Sequence, residues 1–143
     1  MTPMAARTGC SSALERYREI QAAPVRRLLE RKGPALKVLR DFFQGSVDAL
    51  LSEDCKGCLM ANTVTELTGL DEAVTQVCSA SARPLEAALS GPASGEIPAE
   101  RSPLQLARFL MNTLSGLAVT AKAARERKVL SDDVEVALAA LDR

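Results

Sequence analysis

From Ser102 to Lys128 the chain reads "SPLQLARFLMNTLSGLAVTAKAARERK", and its apolar residues Leu106, Phe109, Leu110, Leu114, Leu117, Ala118 and Ala121 recur three and four apart. Successive residues of an α-helix advance by about 100°, so this spacing gathers them on one side of a long helix. Ser102 stands where an N-cap oxygen is wanted, and Pro103 occupies the first helical position, where its missing amide costs nothing. A helix of this kind has to bury its apolar side. The rest of the chain must therefore supply further helices or a sheet to cover it.

Helices are what the remaining segments predict. "PALKVLRDFFQGSVDALLS" places Leu36, Leu39, Phe43, Val47, Leu50 and Leu51 close to one stripe, with Phe42 beside it. "ALERYREIQAAPVRRLLERK" follows a capping-box pattern, Ser12 with Glu15, and predicts a helix over 13–32 that Pro24 kinks or splits. Cys58 to Leu67 predicts a short, largely buried helix, because its apolar positions spread around the axis. "DEAVTQVCSASARPLEAALSG" predicts a helix over 71–91 kinked at Pro84, and "GPASGEIPAERS" a loop. Ser131, Asp132 and Asp133 open a last helix with Val134, Leu138 and Leu141 as its seam. No segment alternates apolar and polar residues as a half-buried strand does. Of the composition, 47% is hydrophobic and only 3% aromatic, the apolar share coming mainly from Ala, Leu and Val, a mix that favours helices. The expectation is an all-α helical bundle of about six helices, one domain over 13–143, preceded by a disordered segment over 1–12.

Several chemistries are poorly served by this sequence. It contains no histidine, which removes the usual general base, the Ser–His and Cys–His pairs and the commonest metal ligand. Neither a Gly-x-Gly-x-x-Gly turn nor a Gly-x-x-x-x-Gly-Lys-Ser/Thr loop occurs. No enzyme and no cofactor is implied. Lys+Arg and Asp+Glu number 18 each, so no global positive field attracts a polyanion. The clusters Arg26/Arg27/Arg31/Lys32 and Lys122/Arg125/Arg127/Lys128 read as solvated helix faces. No segment has the roughly 18 uncharged apolar residues of a membrane span, nor the start the apolar run of a signal peptide. A cytoplasmic location is expected.

Cys55 and Cys58 have the spacing of a redox dithiol, with Lys56 between them to favour the thiolate. Such pairs normally follow a strand, and a structural zinc site needs a second ligand pair that Cys10 and Cys78, each alone, do not make. A thiol sensor using Cys55 and Cys58 stands as the alternative to a purely structural role.

The same stretch resembles a known family. "KGCLMANTVTEL", from Lys56 to Leu67, is similar to a helix start common in the C-terminal regulatory domain of tetracycline-repressor-like (TetR) transcriptional regulators. "LERYREIQAAPVRRLLE", "LRDFFQGSVDALL" and "ARFLMNTLSGLAVTAK" agree in order with three further helices of that domain, so the likeness runs from about Leu14 to Leu141. It implies a helical body that binds a small effector of unknown identity and forms a homodimer. The family's DNA-reading helix-turn-helix head has no counterpart in "MTPMAARTGCSS", so no direct DNA binding by this chain is expected. A cavity would be lined by Phe43, Met60, Asn62, Thr63, Glu66, Met111, Asn112 and Ser115; the bland reading makes the polar ones bond nearby backbone and the apolar ones ordinary core. The last two helices would supply the dimer contacts through Leu110, Thr113, Gly116, Leu117, Val119, Ala137, Leu138 and Leu141, Gly116 being tolerated in mid-helix for close approach.

Overall fold

The computed structural model describes residues 12–20, 23, 26–27, 30, 33–52, 57–67, 69, 72–90 and 94–141, apart from the side chains at 64, 67, 74, 78 and 94. The segment expected to be disordered lies outside these residues up to position 11. Among the described residues every regular element is helical, as the periodicity predicts. In chain order they are α1 over 12–20, α2 (Ala35–Leu51), α3 (Leu59–Leu67), α4 (Glu72–Ser79), α5 (Arg83–Ser90), α6 (Pro103–Ala123) and α7 (Arg127–Ala139), with short 3-10 turns at Ala80–Ala82 and Ser94–Glu96. None of these helices is long and apolar enough to cross a membrane.

The core is made where α2, α5, α6 and α7 meet. Leu39, Phe43 and Val47 of α2 pack with Leu85 and Leu89 of α5, Leu106, Leu110 and Leu117 of α6, and Leu130, Val134 and Leu138 of α7. Neighbouring positions are four or seven apart within each helix, so each helix presents one apolar stripe to the common interior. Burying a side chain such as Phe43 or Leu110 is worth about 1.5–3 kcal/mol. Ile97, in the segment read as loop, is also buried there and ties the α5–α6 connection to the core.

The helix ends are secured by other elements. Pro34 offers α2 no side-chain cap; instead the Glu96 carboxylate accepts from the Leu36 amide at 3.5 Å, placing negative charge at the positive end of the helix. At the other end, Arg125 Nη2 donates to the carbonyls of Leu51 (2.9 Å) and Ser52 (2.8 Å), which have no partner further along the helix. Ser102 caps α6 as predicted, its hydroxyl accepting from the Gln105 amide at 3.4 Å.

Four expectations are corrected. The helix expected over 71–91 is two, since Pro84 cannot donate to the carbonyl four residues back and the chain tightens into the 3-10 turn before α5 starts again. The last helix begins at Arg127 rather than Ser131; Leu130 is fully buried in its first turn, and Arg127 pairs with Asp48 of α2 at 2.6 Å. Ser12 is already helical and so lies inside α1 rather than at its cap. α3 is not largely buried: Leu59, Thr65 and Glu66 are exposed, because α3 sits at the margin of the bundle against α4 and α6.

Phe43→Ala should lower unfolding free energy by about 3–5 kcal/mol, whereas Lys37→Ala, which removes only an exposed i,i+4 pair with Asp41, should change it by less than about 0.5 kcal/mol. Urea denaturation of the two variants checks the contrast.

Candidate functional site

The stretch "GCLMANT" forms a junction between three helices. Gly57 has φ +94°, a left-handed backbone that a Cβ disfavours, and a Cβ built there would collide with Lys122 Cε from the last turn of α6. The lysine stem thus crosses directly over the glycine. Its ammonium donates to Asn62 Oδ1 at 2.6 Å, fastening the first turn of α3 to α6. Cys58, next to the glycine, meets α1: the Tyr17 hydroxyl points at its sulfur at 3.8 Å. Thr63 is buried and returns its hydroxyl to the Leu59 carbonyl at 2.8 Å, so its polarity is met within the helix.

Of the side chains proposed to line a cavity, the structure keeps only some on the inner side. Phe43 is core, Met60 and Asn62 are half-buried near the head of α3, and Met111 packs against the core. Glu66, Asn112 and Ser115 are exposed. The α6 pair cannot face the interior while Leu110 does, since the two lie about 200° and 140° around the helix from it.

The outer side of α6 and α7 carries a different feature. Phe109, Thr113, Gly116, Leu117 and Thr120 of α6 and Asp133, Val136 and Ala137 of α7 line an open groove of ≈ 320 Å³. Phe109 is 44% exposed and Val136 74%, so two large apolar residues share one open surface. Nothing lies within 4 Å of where a Gly116 Cβ would stand, so packing within the chain gives no reason for glycine there. Thr113 and Gly116 of the expected dimer set lie in this groove, and Leu117 and Ala137 form its floor. Val119 is exposed, while Leu110, Leu138 and Leu141 are buried in the core of the chain itself. Phe109, expected on the buried side of this helix, is exposed, and it, Thr120, Asp133 and Val136 were not in the expected contact set. Their signal was present: Phe109, Thr113, Gly116 and Thr120 form a second stripe at helical spacing beside the inner one.

The basic cluster near the α6–α7 connection is engaged within the fold. Lys122 holds Asn62, Arg125 the end of α2, Arg127 Asp48, and Lys128 Asp132 at 2.6 Å. Arg26 and Arg27 of the other cluster are exposed; Arg31 and Lys32 lie outside the described residues. So do Cys55, Lys56 and Cys10; Cys58 is a half-buried thiol beside Tyr17. No group of three or more metal-ligating side chains occurs among the described residues.

Comparison with known proteins gives the class to which this helical body belongs. No family model matches the chain, and no solved structure does. It is 31% identical over 138 residues to the uncharacterized HTH-type transcriptional regulator YezE of Bacillus subtilis (strain 168), covering 92% of this chain and 71% of YezE. The chain belongs to this family of transcriptional regulators.

Gly57→Ala should cost about 1 kcal/mol or more, from the strained backbone and the displaced lysine. In a Lys122→Ala background the same change should cost less, because the collision is gone and only the backbone strain remains. A double-mutant cycle by urea denaturation reads the coupling.

Proposed function

We propose that this chain is the effector-binding and dimerisation domain of a TetR-type transcriptional regulator, acting in the cytoplasm and performing no catalysis. The observation that carries the reading is the outer face of α6 and α7. There a transcriptional regulator's helical body leaves Phe109 and Val136 in the open beside a glycine with free space in front of it. Two copies related by a two-fold axis would cover these residues with the same residues of the partner, in an isologous four-helix contact. The likeness of Lys56 to Leu67 and of three further segments to TetR regulatory domains supports the same assignment.

In such a domain an effector acts by binding one arrangement of the helices better than another, and the dimer converts that preference into a changed spacing of its two halves. The junction at the head of α3 suits this task. Tyr17 of α1, Cys58 just before α3, Asn62 of α3 and Lys122 of α6 meet there, and α6 also carries the outer groove. A shift of α1 or α3 caused by a small molecule would thus reach the dimer helix through Lys122.

Sedimentation equilibrium tests the association. The unmodified chain should behave as a dimer, and the double change Phe109→Glu with Val136→Glu should raise the dissociation constant by about a hundredfold or more, since each charge would be buried unpaired. A chain that is monomeric at high micromolar concentration would refute the dimer. Circular dichroism of the variant separates loss of association from loss of fold, both positions being exposed in the protomer.

A further inference from the structure

The core draws its side chains from α2, α5, α6 and α7 and from Ile97 and Leu141; among the described side chains none comes from α3 or α4. Thr63 of α3 and Val77 of α4 are buried, yet they stand apart from that core. α3 packs chiefly on α4 and more lightly on α6, and the Gly69 amide between the two helices donates to Thr75 Oγ1 of α4 at 3.3 Å. The two helices thus form a pair closed on itself at the edge of the bundle. At one end the pair is entered through the left-handed backbone of Gly57. At the other it leaves through the 3-10 turn Ala80–Ala82, which leads into α5 and is seated on α6.

The ties differ in kind across the molecule. α2 and α7 share the apolar core and are joined besides by the ion pairs Arg40–Glu135 and Arg127–Asp48. α3 is fastened to α6 by the Lys122 ammonium on Asn62 Oδ1 at 2.6 Å, and its head meets α1 where the Tyr17 hydroxyl faces the Cys58 sulfur, a weak acceptor. A part of a protein with few core contacts opens at a lower free energy than the whole. We propose that α3 and α4 open together as a flap, pivoting on the 3-10 turn Ala80–Ala82 while α2, α5, α6 and α7 stay folded, with the Lys122–Asn62 bond as the latch that holds the flap shut. The opening belongs to the ligand-free chain. It gives a regulatory domain a moving part, and it rests neither on effector binding nor on dimerisation.

Native-state hydrogen exchange of the full chain in rising, sub-denaturing urea tests it, under conditions where closing outpaces exchange. Amides of α3 and α4, such as those of Thr63 and Val77, should share one opening free energy below that of Phe43, Leu110 and Leu138, with a smaller urea dependence because less surface is exposed. Two variants separate the flap from global unfolding. In Lys122→Met the lost bond is missing from the flap-open and the unfolded chain alike, so flap and core amides should both exchange about threefold faster or more. In Leu138→Ala the cavity lies in the part that stays folded while the flap is open. Core amides should then exchange at least about thirtyfold faster, and those of α3 and α4 less than about twofold faster. Val134→Ala, a smaller truncation in the same helix, should repeat that pattern if Leu138→Ala does not fold. Exchange of α3 and α4 with the free energy and urea dependence of the core, openings that differ between the two helices, equal acceleration of flap and core by the α7 truncation, or no acceleration of α3 and α4 in Lys122→Met would overturn it.

Discussion

The burial of one side of α6 against α2, α5 and α7 is the interaction on which the rest of the structure depends. Leu106, Leu110 and Leu117 are almost wholly buried, and together they fix the rotation of α6 about its axis. Once that rotation is set, Phe109, Thr113, Gly116 and Thr120 have no choice but to face outward. The outer groove follows from the core. So does the position of Lys122, which leaves the last turn of α6 at the angle needed to cross Gly57 and meet Asn62. The α6–α7 connection adds its own fastening, with Arg125 closing the end of α2 and Arg127 pairing with Asp48.

The head of α3 gives the short motif a physical meaning. Gly57 supplies a backbone that only glycine adopts cheaply and leaves room for a lysine stem; Asn62 supplies the acceptor for that lysine; Cys58 faces the Tyr17 hydroxyl. Each residue type is accounted for by a partner from another helix. The thiol's place is explained by its contact with Tyr17, and α1, α3 and α6 are held together at this point.

Much of this was legible in the sequence, for reasons that differ by element. The α2 and α6 stripes could be read because leucine and phenylalanine at helical spacing leave few other folds, and Ser102 with Pro103 marks its helix start by backbone chemistry alone. The start of α7 was missed because Ser131 and Asp132 look like a cap. The deciding force, the burial of Leu130 against α2, is a tertiary one that local pattern does not contain. Asn112 and Ser115 misled because polar residues inside an apolar run were read as pocket groups, whereas their angle from Leu110 puts them outside. Asn62 was read as a pocket residue, and in the fold its amide oxygen is taken by a lysine. That the partner is Lys122, sixty positions away in the chain, could come only from the fold.

The central claim is that α6 serves two interiors at once, its own protomer's core on one side and a second copy on the other. An isotope-filtered nuclear Overhauser spectrum of an equal mixture of labelled and unlabelled chain tests it most directly. The account predicts intermolecular contacts at the Phe109 ring, the Thr113 methyl and the Val136 methyls, and none at Leu39 or Val47. Intermolecular contacts confined to α2 or α3, or none at any position, would contradict it.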